Sequence, residues 1–201
     1  LRVMLAVMNV SAVPRVATGA RSDQPSALAE LRGFLGRARR LVVLTGAGCS
    51  TVSGIPDYRD EGGDWKQRRP MLYQDFLRHE RNRKRYWARS MLGWRRVARA
   101  APNPAHQALA RWERRDRLQG VITQNVDGLH QRAGSRAVLD LHGRLDVVEC
   151  LDCGRRGDRH AFQRELEAIN PDWALGRPAA TTPDGDVDPG DVDYASFDLP
   201  A

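Results

Sequence analysis

The chain has 201 residues, of which 41% are hydrophobic, so it is long enough for one ordinary domain, or one domain and a small module, around a buried core. Its net charge is +7, but nearly all of the positive charge is arginine, and Lys66 and Lys84 are the only lysines. We interpret this bias as an arginine-rich solvated surface rather than a nucleic-acid-binding face. Three cysteines cannot form a disulfide framework, which excludes a disulfide-stapled secreted domain.

The first 24 residues form a separate segment. Their apolar run is interrupted by Asn9, Ser11 and Pro14 and is too short to span a bilayer. We predict that residues 1–24 are an extension or a disordered arm, with a signal peptide as the alternative. No other run has the length and apolarity of a membrane span, so we predict a cytoplasmic protein without membrane association.

The segments that follow alternate between helical and strand patterns. Apolar residues recur with a helical period across 25–38, and the continuous apolar run 41–44 ends in glycines, as a buried parallel strand does before a tight turn. Residues 71–100, and the segment that begins "PNPAHQAL", have helical patterns. "LQGVIT" and "AVLDLHG" predict two further strands. This alternation predicts an α/β fold with a doubly wound parallel sheet.

The tail beyond Arg177 is acidic and contains no basic residue. Its "DGDVDPGDVD" stretch resembles a calcium-binding loop, but Pro189 occupies the position where such a loop needs glycine, and no glutamate closes it. We therefore predict a solvated, turn-rich loop.

A glycine-rich turn follows the first predicted strand, in "TGAGCSTVSGIPDYRD", residues 45–60. Gly46, Ala47 and Gly48 would let the backbone approach a phosphate closely, and the next helix N-terminus would supply amide donors. Thr51 stands where the dinucleotide fingerprint usually has its third glycine, so a tight strand-to-helix turn without a ligand is the alternative.

The next residues, "SGIPDYR", have little helical or strand character. Gly54 and Pro56 favour an irregular path, and Asp57, Tyr58 and Arg59 put an acid, an aromatic ring and a base on consecutive positions. A loop with these groups beside a phosphate turn predicts a mobile lid over a cofactor.

Polar residues also follow the second and third predicted strands. Gln124, Asn125 and Asp127 cluster directly after "GVI", where α/β folds bind ligands, although an Asn/Asp turn explains the same pattern. His142 ends the third strand in "LHG" and is a candidate general base, with His130 as its rival.

The cysteine pair in "ECLDCG" has the spacing of half a structural zinc site. Cys150 and Cys153 are the candidate ligands, and a redox motif is disfavoured because no thioredoxin-like helix follows them. His160 is a candidate third ligand, whereas Cys49 lies in the phosphate turn and is not expected to bind this metal.

Together, "GAGCSTVSGIPDYR", "TQNVDGLHQRAG", "LHG" and "CLDCG" resemble, in order and spacing, the sirtuin family of NAD-dependent protein lysine deacylases. The resemblance covers residues 25–201, and "GIPDYRDEGGDWK" is closest to the class II branch. It implies a Rossmann-like NAD-binding domain at 25–148 and a small zinc-binding module. Because sirtuins bind one zinc with two CxxC pairs, residues 149–201 would be the first half of that module, and we expect a chain truncated before its second pair.

The resemblance also implies an activity. In sirtuins the amide oxygen of an acyl-lysine attacks the nicotinamide ribose of NAD, and the products are lysine, nicotinamide and O-acyl-ADP-ribose. His142 would be the catalytic base, with Asn125 and Asp127 as further catalytic residues and Cys150 and Cys153 as zinc ligands. The residues that would bind NAD are Gly46, Ala47, Gly48, Ser50, Ile55, Pro56, Asp57, Tyr58, Arg59, Gln124, Asn125 and Asp127.

Several alternatives remain at this point. Residues 65–68 are loosely placed candidates for the acyl pocket, and the partner would be an acyl-lysine protein. Protein mono-ADP-ribosyl transfer from NAD is the alternative activity, and a truncated chain would be an inactive fragment or a non-catalytic remnant that binds a nucleotide or a partner. A nucleic-acid binder that uses the arginine-rich helices at 78–99 is disfavoured, because it gives the irregular segments no role.

Overall fold

The computed structural model describes residues 24–38, 40–59, 64, 71–174, 184–187, 189 and 192–200. The predicted arm at 1–24 and the candidate pocket residues 65–68 therefore lie outside the described residues, except for residue 24. The division of the chain at residue 148 into two domains stays a prediction.

Three parallel strands form the central sheet. Strands β1 (Leu41–Thr45), β2 (Leu118–Thr123) and β3 (Val138–Asp140) pair in the order β1-β2-β3. Gly120 allows β2 and β3 to approach closely, because a Cβ there would lie 2.9 Å from the carbonyl oxygen of Ala137. Helices separate the strands along the chain, which confirms the predicted α/β, Rossmann-like fold.

The remaining elements surround this sheet. They are α1 (Gln24–Arg37), a 3-10 helix (Ala47–Ser53), α2 (Tyr73–Arg78), α3 (Glu80–Arg99), α4 (Pro104–Glu113), α5 (Leu129–Arg132), the antiparallel strands β4 (Val147–Glu149) and β5 (Arg156–Asp158), α6 (Arg159–Ile169), and two 3-10 turns (Pro171–Ala174 and Tyr194–Ser196). Among the helices that the structure describes, none is both long and apolar enough to cross a bilayer.

The two faces of the sheet differ in exposure. On one face, Val121 is buried, and α4 contacts β2. On the other, Val42, Leu44 and Leu139 are 54%, 62% and 57% exposed. Parallel sheets are usually covered on both faces, so this apolar face is unusual in being open among the described residues.

Helix α3 contributes to two hydrophobic clusters. The first lies next to the 45–60 segment and contains Ile55, Trp94, Val97, Ala100 and Leu129. The second joins α3 to α6 and the tail, and it contains Ala88, Met91, Leu166, Trp173 and Phe197. The helix therefore connects the glycine-rich segment to the C-terminal elements.

The described part of the tail packs against the protein, so the prediction of a solvated loop is wrong for it. Arg89 of α3 is 5% exposed, and its Nε donates to Oδ1 of Asp186 at 2.7 Å. Val187 and Phe197 are buried as well. A buried guanidinium requires a partner, and the Asp186 carboxylate that a calcium loop would have used supplies one.

Gly93 is the position at which α3 is closest to the tail. A Cβ on Gly93 would overlap the carbonyl oxygen of Gly185, with Cγ2 of Val187 only 2.8 Å away. We predict that Gly93→Ala lowers the free energy of unfolding by about 1–3 kcal/mol in urea denaturation, because overpacking outweighs the better helix propensity of alanine.

Gly36→Ala in α1 is the matched control. A Cβ at Gly36 meets nothing within 4 Å, so we expect the propensity gain alone, about 0.5–1 kcal/mol of added stability. Equal stabilisation by both substitutions would contradict the close contact between α3 and the tail.

Candidate active site

The carboxyl ends of the three parallel strands meet at one edge of the sheet, and hydrogen bonds join the loops that leave them. The N–H of Gln124 donates to the carbonyl of Thr45 at 3.0 Å, and the N–H of Leu141 donates to the carbonyl of Thr123 at 2.9 Å. The structure thus brings the segments that begin at Gly46, Gln124 and Leu141 together at the edge where the ligand crevice of an α/β sheet lies.

The glycine-rich turn forms a short 3-10 helix, Ala47–Ser53, instead of a regular α-helix. A Cβ on Gly48 would meet nothing within 4 Å, and one on Gly46 would meet only Nε2 of Gln124, at 3.7 Å. Contacts within the chain therefore do not explain why Gly46 and Gly48 lack side chains. Their lack of side chains leaves the backbone accessible, as close approach of a phosphate requires.

A buried polar network lies beneath the turn. Ser50, which is fully buried, donates from Oγ to Oδ2 of Asp127 at 2.6 Å, and Nδ2 of Asn125 donates to Oγ of Ser50 at 3.1 Å and to the carbonyl of Gly46 at 3.0 Å. Oδ1 of Asp127 accepts from the N–H of Leu129 at 2.9 Å. The segment therefore forms an Asn/Asp turn, which was the alternative interpretation of its sequence. The side chains of Asn125 and Asp127 also lie at the edge where the strands end.

His142 lies at the same edge and is half-buried. Its Nδ1 is 3.0 Å from the carbonyl oxygen of Gln124. A carbonyl only accepts, so Nδ1 carries the proton, and Nε2 of the neutral ring keeps a lone pair. This is the tautomer that a general base requires.

His130, the rival candidate, lies in the interior and is 1% exposed. Its Nε2 is 2.9 Å from Oγ1 of Thr45, and its ring packs edge-on against that of His106 at 4.7 Å between centroids. Burial, and then the neighbouring His106, lower the pKa of His130 to about 4, and burial also lowers the pKa of His106. Both rings are therefore neutral at neutral pH.

The predicted lid begins with a fixed residue. Ile55 is 3% exposed and packs in the first hydrophobic cluster, so its side chain is an anchor of the segment. Pro56, Asp57 and Tyr58 are half-buried and Arg59 is exposed. Burial, followed by the charges of nearby aspartates, raises the pKa of Tyr58 well above its usual range, so its hydroxyl stays protonated.

The cysteine pair lies on the turn between β4 and β5, with both thiols exposed. Backbone hydrogen bonds from Cys153 and then Asp152 lower the pKa of the Cys150 thiol, which is the effect expected of a turn that holds a thiolate. Within the described ranges no third metal ligand lies with this pair, and the ring of His160 packs against Trp94 at 5.0 Å. The turn fits half of a zinc site, and His160 is not placed to complete it.

Residues 46–174 match the model of the Sir2 family. This chain belongs to the Sir2 family. Among its sirtuin relatives, the protein named NAD-dependent protein deacetylase 2 of Bradyrhizobium diazoefficiens is 53% identical over 90% of this chain and 66% of its own length. The NAD-dependent protein deacetylase of Bordetella bronchiseptica is 54% identical over 88% of this chain and 64% of its own length.

Solved sirtuin structures share the fold. A Sir2–p53 peptide–NAD+ complex has a TM-score of 0.55 at 36% identity and covers 70% of this chain and 56% of that one. A Sir2 homolog–NAD complex has a TM-score of 0.53 at 42% identity and covers 65% of this chain and 51% of that one. This sirtuin chain thus spans about two thirds or less of the length of these relatives.

Sequence reasoning missed Asn103, which supports the glycine-rich turn of this sirtuin. Its Oδ1 accepts from the N–H of Ala105 at 2.9 Å and caps α4, while its Nδ2 donates to the carbonyl of Cys49 at 2.7 Å and to Oγ of Ser53 at 3.1 Å. The "NPAH" sequence signals the cap. The contact with the turn has no local signal, because it joins residues 54 positions apart.

We predict that Asn103→Ala lowers the free energy of unfolding by about 1–2 kcal/mol through the lost cap, with a further loss because the Cys49 carbonyl is left without its donor. Asn103→Ser keeps a capping oxygen but lacks the amide donor, so its stability should lie between those of wild type and Asn103→Ala. Urea denaturation of the three proteins tests this order. Equal stability of wild type and Asn103→Ala would contradict the role of Asn103.

Proposed function

We propose that this chain acts, by itself or as part of a longer sirtuin, in NAD-dependent removal of acyl groups from protein lysines. The observation that carries the proposal is the hydrogen bond between Nδ1 of His142 and the carbonyl of Gln124, at the same sheet edge as the Ser50–Asn125–Asp127 network. The names of the Bradyrhizobium and Bordetella relatives support it. The Sir2–p53 peptide–NAD+ complex supports NAD as cofactor and an acyl-lysine protein as substrate.

The glycine-rich turn would hold the pyrophosphate of NAD. A Cβ at Gly48 would meet nothing within 4 Å and one at Gly46 only Nε2 of Gln124, and Ser50 fixes the turn from below through Asp127. The residues proposed to enclose nicotinamide and ribose are Ile55, Pro56, Asp57, Tyr58, Arg59, Gln124, Asn125 and Asp127. When bound, NAD supplies an anomeric carbon that exchanges nicotinamide for the acyl oxygen of the substrate.

Nε2 of His142 would accept the proton of a ribose hydroxyl. The carbonyl of Gln124 accepts from Nδ1–H, which fixes the orientation of the ring and leaves Nε2 for the incoming proton. The buried amide of Asn125 and carboxylate of Asp127 would present fixed dipoles and exclude water. Because these groups are held in place before the reaction, they would not need to rearrange during it.

Cys150 and Cys153 would hold a structural zinc together with two further ligands. The exposed thiols and the N–H groups directed at Cys150 suit a metal-bound thiolate. Free thiols of this kind also favour a reducing compartment, so we propose a cytoplasmic protein. Two arginines of α3 have partners within the chain, since Arg89 pairs with Asp186 and Arg95 pairs with Glu167.

We predict that His142→Ala lowers kcat for NAD-dependent deacylation of an acetyl-lysine peptide by about 100-fold or more, because the general base is lost. The assay follows nicotinamide and deacetylated peptide in the full-length protein. His79→Ala is the matched control, since His79 is exposed at the start of α3 and its side chain makes no capping bond.

Activity of His142→Ala within a few fold of wild type would overturn the assignment of the base. Transfer of label from NAD onto protein, without release of the acyl group, would overturn deacylation in favour of mono-ADP-ribosyl transfer. NAD binding without turnover in wild type would indicate a non-catalytic chain.

A further inference from the structure

Cys49, His106 and His130 form a cluster of soft and borderline metal ligands inside the Rossmann-like domain. One ligand atom from each residue lies within 4.8 Å of the other two, and Sγ of Cys49 is 3.9 Å from Nε2 of His106. No other group of three such ligands occurs among the residues that the structure describes. The cluster lies under the glycine-rich turn, far along the chain from Cys150 and Cys153.

His130 has an unused lone pair in this cluster. With the hydroxyl of Thr45 donating to Oγ1 of Thr123 at 2.9 Å, Thr45 accepts from Nε2–H of His130, and Nδ1 has the lone pair. Nδ1 of His130 is buried and has no hydrogen-bond partner. A buried acceptor without a partner is costly, and a bound cation would remove that cost. The Nε2–H bond to Thr45 is the outer support that metal-binding histidines usually have.

His106 is oriented by the backbone. Its Nδ1 accepts a long bond of 3.3 Å from the N–H of Asn103, and its Nε2 faces the sulfur of Cys49. Coordination through Nε2 requires the ring proton to move to Nδ1 and gives up this one weak bond. The cap of α4 survives, because Oδ1 of Asn103 still accepts from Ala105.

We propose that Cys49, His106 and His130 bind a borderline transition-metal cation, such as Zn2+, at a site separate from the cysteine pair. Three protein ligands of this kind leave a fourth position for water. Binding displaces the proton of the Cys49 thiol to solvent, so the site holds a thiolate and two neutral imidazoles. The site is reachable, because Cys49 is partly exposed and Gly48 beside it is open.

The distances are close to those of a formed site. With Zn–S of about 2.3 Å and Zn–N of about 2.0–2.1 Å, tetrahedral ligand atoms are about 3.3–3.6 Å apart. The observed separations, at most 4.8 Å, therefore need to contract by up to about 1.5 Å. Rotation of the small Cys49 side chain can shorten the two that involve its sulfur, and small changes in the imidazole torsions the third. The carboxylate of Asp127 interacts electrostatically with all three residues and supplies a nearby negative charge.

The test titrates Co2+ into the Cys150→Ser/Cys153→Ser double variant, which removes the cysteine pair from the measurement. We expect about one Co2+ per chain, with a thiolate-to-cobalt charge-transfer band and the visible bands of tetrahedral geometry. Adding Cys49→Ser should abolish the charge-transfer band, and adding His106→Gln should weaken binding at least about tenfold.

His79→Gln in the same double variant is the matched control and should leave the titration unchanged, since His79 is exposed and outside the cluster. Circular dichroism checks that each variant folds. If the His106 variant does not fold, the Cys49→Ser variant still tests the proposal. A charge-transfer band that survives Cys49→Ser, or no band at all in the folded double variant, would overturn the proposal.

A metal at this site has a consequence for the crevice, and this part rests on the proposed function. Asp127 accepts from Ser50 and Leu129, so a cation that attracts its carboxylate should disturb the network under the glycine-rich turn. We expect Zn2+ to weaken NAD binding at least about tenfold in the double variant and to have little effect after Cys49→Ser. Unchanged NAD affinity with Zn2+ bound would overturn this consequence. Absence of NAD binding without metal would count against the proposed function and leave the Co2+ result standing.

Discussion

The candidate site depends on the hydrogen bonds that Asn125 makes across the ends of two parallel strands. Its buried amide donates both to the carbonyl of Gly46 and to the hydroxyl of Ser50. Parallel pairing brings the strand ends to one edge, and this amide then fixes the glycine-rich turn relative to β2. Because the groups are buried, losing either partner would leave an unsatisfied polar atom, so the arrangement is maintained.

Three histidines near this edge, His142, His130 and His106, have the same imidazole side chain but lie in different environments. His142 is half-buried at the strand ends, where its Nδ1 bonds to the carbonyl of Gln124. His130 and His106 are enclosed between α4, α5 and β1, where burial keeps them neutral. Position in the fold, and not residue type, therefore separates a candidate base from candidate metal ligands.

Helix α3 packs against both the glycine-rich segment and the C-terminal elements. One part of the helix packs with Ile55, which anchors the proposed lid, and another packs with Phe197 of the tail. The buried pair of Arg89 and Asp186 joins the same helix to the tail. The open apolar face of the sheet lies apart from these contacts, and its exposed Val42 and Leu44 mark the least covered part of the described fold.

The sequence by itself determined the three parallel strands, helices α1, α3 and α4, the glycine-rich turn and the polar residues that follow β2 and β3, because hydrophobic period and turn chemistry are local. It did not predict helix α6 or the break between α2 and α3 at His79. The resemblance of four motifs also pointed to the family that the comparisons then showed. Only the tertiary structure decided that His130 is internal, that Asn103 supports the turn, that the acidic tail packs on α3, and that Cys49 meets two imidazoles. These contacts join residues that are distant in sequence, so their energies depend on packing that no local pattern encodes.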